Sequence, residues 1–167
     1  MYCCKMESCL LMLFGGTIEK TNEPKSHISW CMKQKRGVKL EEPNDNLCTV
    51  YLTKAKSALN MLTSANEKEE VDWIATTAYY ARYFAFYGLL QKCGIKSEIH
   101  DCTISLMHFL FVEGKLIEKH FYTELQLAKD LREDMQYYVM NRQEIFSPRT
   151  KVRGLKREDF LTPPIVT

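Results

Sequence analysis

The segment Glu70–Lys92 is apolar on nearly every side of a helix. Ala78, Ala81, Ala85 and Gly88 form a narrow stripe of small residues. Trp73, Tyr80, Phe84 and Tyr87 form a bulky neighbouring stripe, and Tyr79, Tyr83, Phe86 and Leu90 a third. A helix apolar all round is either central to a fold or crosses a membrane. Arg82 stands near the middle of its most apolar stretch, Trp73–Leu90. A central arginine costs about 2.5–3.5 kcal/mol on insertion into a bilayer. The segment is therefore read as a buried helix, with no membrane partner. One small monomer does not easily surround such a helix. The reading predicts a homodimer that buries part of it through Ala78, Ala81, Ala85 and Gly88, where small side chains let a second backbone approach.

Other helices assemble around it. Pro43 disfavours helix before it, and the following Asn and Asp residues cap a start near Asn46. Leu47, Val50, Tyr51, Ala55, Leu59 and Leu62 then mark one face of a helix to about Ala65. Ser64–Glu69 is a polar turn, and Gly94 stops the central helix. Ser97 is expected to cap a third helix, about Glu98–Val112, which Gly114 breaks. Ile117, Phe121, Leu125, Ala128, Leu131, Met135 and Tyr138 give a fourth, from about Leu116 to Asn141. No segment alternates well enough to predict a strand. The expected fold is all-α: an up-and-down antiparallel bundle of four main helices, dimeric.

Length and charge limit the rest. The chain has 167 residues and a formal net charge of +2, which suits one domain and no dominant basic field. The bundle is assigned to 28–145. Residues 1–27, with three cysteines and no sustained period, are an N-terminal extension, either a disordered arm or the product of a mis-assigned start codon. Residues 146–167 form a tail with a basic run, Arg149, Lys151, Arg153, Lys156 and Arg157. That run is read as a solvated tail or a contact for nucleic acid or an acidic partner. The seven cysteines include no C-x-x-C pair. Cys48, Cys93 and Cys102 lie in apolar stretches and are read as small buried hydrophobes in a reducing, cytoplasmic setting. No secretory signal is convincing.

Several catalytic patterns are absent: no phosphate-cradling glycine loop, no G-x-S-x-G, no H-E-x-x-H. His27, His100, His108 and His120 show no metal-ligand spacing, so neither metal nor cofactor is expected. The best polar cluster is Arg132, Glu133, Asp134, Gln136, Tyr137 and Tyr138. Asp134 and Tyr138 share a helix face. Arg132 there can bind a phosphate bidentately, or form a structural ion pair or dimer contact. If the third and fourth helices are antiparallel, His100 falls opposite roughly Ala128 to Arg132. An imidazole and a guanidinium together suffice for metal-independent RNA cleavage.

Four segments carry a family resemblance. Ala78-Tyr79-Tyr80-Ala81-Arg82-Tyr83-Phe84 resembles the helix-two signature of HEPN-domain proteins. Gly94-Ile95-Lys96-Ser97-Glu98-Ile99-His100 resembles the following turn in the archaeal branch, and Glu42-Pro43-Asn44-Asp45-Asn46-Leu47 the start of its first helix. Arg132-Glu133-Asp134-Met135-Gln136-Tyr137-Tyr138 resembles its helix-four motif. The resemblance spans about Ile28 to Val139, in order. It implies a dimeric helical bundle associated with nucleotides or RNA. Such proteins are often encoded beside a minimal nucleotidyltransferase as a toxin–antitoxin pair.

The resemblance breaks at one point. Active HEPN RNases carry an arginine and, four to six residues on, a histidine. Here Arg132 is followed by Tyr137 and Tyr138. The expectation is therefore a non-catalytic module binding nucleotide, RNA or a nucleotidyltransferase through Arg132, Asp134, Tyr137, Tyr138 and Tyr80. The alternative is a metal-independent RNase toxin using Arg132 with a displaced His100.

Overall fold

Asn44 starts the first long helix. Its Oδ1 accepts the Leu47 N–H at 2.9 Å, an N-cap bond that satisfies one of the helix's unpaired donors. A computed structural model of the chain describes residues 23–137, and side chains within 27–136. Most of the extension, Tyr138 and the basic tail lie outside the described residues.

The elements are α1 (Glu23–Lys33), β1 (Val38–Leu40), α2 (Asp45–Glu67), α3 (Val71–Lys92), β2 (Ile95–Ser97), α4 (His100–Leu106), a π-helical stretch (Met107–Glu113) and α5 (Lys119–Tyr137). The chain is predominantly helical, and the four expected helices are present. Two elements were not expected: α1, and a two-stranded ladder. β1 and β2 pair antiparallel with Val38 opposite Ser97 and Leu40 opposite Ile95. Each strand is three residues long, too short for alternation to register. Among the described residues no helix is long and apolar enough to cross a membrane.

The chain forms two compact units, dividing at Cys48/Thr49, Phe86/Tyr87 and Tyr122/Thr123. In the first, α1 packs against α4 and β1. Among its described side chains, Ile28 and Cys31, three residues apart, are buried. Cys31 and Cys102 are joined by a disulfide with 5.7 Å between Cα atoms. This corrects the reading of Cys102 as a lone buried thiol. Cys48 and Cys93 lie outside any disulfide.

The end of α3 shows why Gly94 is needed. Its φ is +68°, and the Glu41 N–H donates to its carbonyl at 2.8 Å. A Cβ there would run into the Glu41 carbonyl. The sheet ends are held by charge. Arg36 Nε lies 2.8 Å from Glu98 Oε2, and Lys96 reaches both Glu41 and Glu98. The bond from Arg36 holds the Glu98 carboxyl below the usual carboxylate range.

Ser97 does not cap α4. Its Oγ donates to the Ile99 carbonyl within the turn, and Ile99 itself is the N-cap residue, with no side-chain cap bond. The α-helical part is also shorter than the predicted third helix, because from Met107 the ladder widens to π geometry until Gly114.

The second unit is built on three helices. Leu59 and Leu62 of α2, Ile74, Ala75 and Ala78 of α3, and Leu127, Leu131 and Met135 of α5 form its core. The turn between α2 and α3 closes with Glu70 N–H to Ala65 O and Glu69 N–H to Asn66 O. This is a Schellman pattern, with Glu69 at φ 56° where glycine is usual.

α3 is buried almost all round, as its sequence predicts. Ala78, Ala81 and Ala85 are at most 8% exposed in a single chain, and Gly88 is buried too.

Candidate functional site

Arg132 lies on the last part of α5, one position past the core residue Leu131. That places its stem against the apolar face and its head at the edge of α3. Its Cζ stands 4.8 Å from the centroid of the Tyr79 ring. Nη1 donates to Gln136 Oε1 at 3.3 Å, one turn along α5. Nη2 lies 3.5 Å from Glu133 Oε1. Nε is buried and has no hydrogen-bond partner.

Tyr79 is fully buried and belongs to an aromatic cluster in the same unit. Its ring meets Tyr80 at 5.2 Å and Tyr83 at 5.6 Å, and Tyr80 stacks on Phe84 at 5.4 Å. Tyr51 of α2 joins through Phe84, with Lys54 Nζ over both rings. The aromatic face is electron-rich and favours a cation above it. These contacts by themselves give Arg132 a structural role, tying α5 to α3.

The chemical capacity of Arg132 lies in its Nε–Nη2 edge. A guanidinium presents two parallel N–H groups there, matched to two oxygens of a phosphate. Nε has no acceptor, and a buried N–H left unbonded costs about 1–3 kcal/mol. Nη2 is shared with Glu133, whose Oε1 also lies 3.6 Å from Lys129 Nζ. Glu133 thus has a cation on either side, Arg132 and Lys129.

The other expected residues are distributed as follows. Asp134 is half-buried on α5, and Tyr80 is half-buried on α3. Tyr137 ends α5, and its side chain is not among those described; Tyr138 lies beyond the described residues. His100 is the exposed first residue of α4 and belongs to the first unit, whereas Arg132 belongs to the second.

A second guanidinium, more deeply buried, entered the sequence reading as an argument against a membrane span and within the Ala78–Phe84 motif. Arg82 is 5% exposed. Its Nη1 donates to the Ala78 carbonyl at 3.2 Å, and its Nη2 lies 3.4 Å from Glu124 Oε2. Such a buried cation is held by its paired carboxylate. Tyr79, the ring under Arg132, was likewise not singled out as a site residue. Its sequence signals were membership of an aromatic stripe on α3 and of the Ala78–Phe84 segment.

No family model, no curated protein and no solved structure matches this chain. The functional reading therefore rests on the residues themselves.

Proposed function

We propose that the protein is a non-catalytic, HEPN-like binding module whose second unit takes a phosphate of a nucleotide or RNA at Arg132. The observation that supports this is the orphaned Nε of Arg132, beside an Nη2 whose carboxylate partner has an alternative cation. Tyr80, half-buried at the same aromatic cluster, offers a ring for a base to stack on. No histidine follows Arg132 anywhere in the sequence, which favours binding over cleavage. In this reading the physiological partners are a second copy of the chain and a minimal nucleotidyltransferase in a toxin–antitoxin-type pair.

The test is a binding titration with fluorescent RNA and with ATP, in EDTA, using wild type and Arg132→Ala. Saturable binding by the wild type that is lost in the folded variant supports the reading. Equal affinity in both removes Arg132 from it, and cleavage by the wild type alone replaces it with the RNase reading through Arg132 and His100.

A further inference from the structure

A second group of chemistry-bearing side chains lies in the first unit and plays no part in phosphate binding. His27 and Cys31 are four residues apart on α1, so they share one helix face. Cys102 reaches them from α4. One imidazole nitrogen of His27 and the two Sγ atoms all lie within 4.8 Å of one another. Cys31 and Cys102 are both 0% exposed, while His27 is half-buried and stacks on Trp30 at 5.5 Å. The group is thus sealed on the sulfur side and open on the imidazole side.

We propose that His27, Cys31 and Cys102 form a redox-gated site for a soft divalent cation, zinc above all. In the oxidised form the two sulfurs are bonded to each other and offer no thiolate. Two equivalents of a small thiol reduce this bond, giving the Cys31 and Cys102 thiols and one external disulfide. Reduction lets the sulfurs part to non-bonded contact. Zinc–sulfur bonds of about 2.3 Å and zinc–nitrogen bonds of about 2.0–2.1 Å set tetrahedral ligand separations of roughly 3.5–3.8 Å. The three ligand atoms reach that spacing by small movements. The cation displaces both thiol protons, and its charge compensates two thiolates that burial alone would disfavour. Neutral His27 supplies the third bond.

The chemistry selects the metal. Two thiolates and an imidazole suit zinc, and disfavour magnesium or calcium, which take oxygen ligands. Three protein ligands leave one tetrahedral position for water or an external thiol, unlike a closed structural site. Metal and disulfide exclude each other, so the oxidation state of one pair of sulfurs decides whether the site exists.

Cobalt(II) is the probe, because its thiolate complexes absorb strongly. The full chain is reduced with a phosphine, freed of reductant without air, and titrated with cobalt and then zinc. The expected result is one equivalent of cobalt with a thiolate-to-metal charge-transfer band, displaced by zinc and absent from the oxidised protein. Cys3, Cys4, Cys9, Cys48 and Cys93 remain in every sample, so Cys102→Ser must abolish the band. His27→Ala should weaken binding more than about tenfold, since even outer-shell partners carry that much. No band from reduced protein with a native circular dichroism spectrum overturns the proposal, as does an equal band in Cys102→Ser or in oxidised protein. Unchanged affinity in His27→Ala overturns it as a three-ligand site. If Cys102→Ser does not fold, alkylation of the wild type decides: zinc must slow labelling of Cys31 and Cys102 but not of Cys93, and equal labelling overturns the proposal.

Discussion

The Arg132 guanidinium of α5 sits over the ring of Tyr79 on α3, 4.8 Å from Cζ to centroid. The contact links the proposed phosphate site to the core of the second unit. It also means that stability and binding both change when either residue is replaced, so each prediction needs both readouts.

Arg132→Lys separates the two roles. Lysine keeps the charge but has no Nε–Nη2 edge and no planar head for the ring. A charged hydrogen bond is worth about 1.5–3 kcal/mol, so RNA affinity should fall by about 10- to 100-fold. Loss of the ring contact should cost about 0.5–2 kcal/mol in urea denaturation. Unchanged affinity at normal salt would show that only the charge matters.

Reducing the Cys31–Cys102 bond should destabilise the first unit. It closes a loop with a sequence separation of 71. The chain-entropy account gives about 4 kcal/mol for a loop of that size. Urea midpoints with and without a phosphine reductant, in metal-free buffer, measure it. The shift should shrink when zinc is present.

Gly94→Ala should cost more than about 2 kcal/mol, combining a left-handed backbone with a clash against the Glu41 carbonyl. Glu69→Gly should do the reverse. Glu69 also has positive φ, and a glycine there removes the strain, gaining a few tenths of a kcal/mol after the added unfolded-state entropy. Thermal unfolding of the two variants should therefore move in opposite directions.

Acid should weaken the end of the β1–β2 ladder. Glu98 titrates below the ordinary carboxylate range chiefly because Arg36 donates to it. Its contribution is present above the ordinary value near 4.5 and is lost as pH falls through the lowered folded value. Arg36→Ala should raise the Glu98 pKa, seen by NMR titration of its carboxyl carbon. No movement would mean that the pair does not persist in solution.

What was legible in the sequence was local. Pro43-Asn44 announced α2, Gly94 ended α3, and Leu125, Ala128 and Leu131 marked the buried face of α5. α1 was hidden because, among its described side chains, only Ile28 and Cys31 bury, too few to set a period. The strands were hidden by their length. The pairing of Cys31 with Cys102, and of Arg132 with Tyr79, depends on which helices meet, and no spacing within one segment carries that information. The homodimer expectation meets the same limit. An all-round apolar helix says how much cover is needed, not which part of the chain supplies it.

The divisions at Cys48/Thr49, Phe86/Tyr87 and Tyr122/Thr123 all fall inside helices: α2, α3 and α5. Each unit is therefore assembled from non-contiguous stretches of chain. No single cut in the gene releases either one intact, and a deletion meant to remove the thiol cluster takes helical turns from the scaffold of the proposed phosphate site. Separating the two proposed sites genetically calls for point substitutions, not truncation.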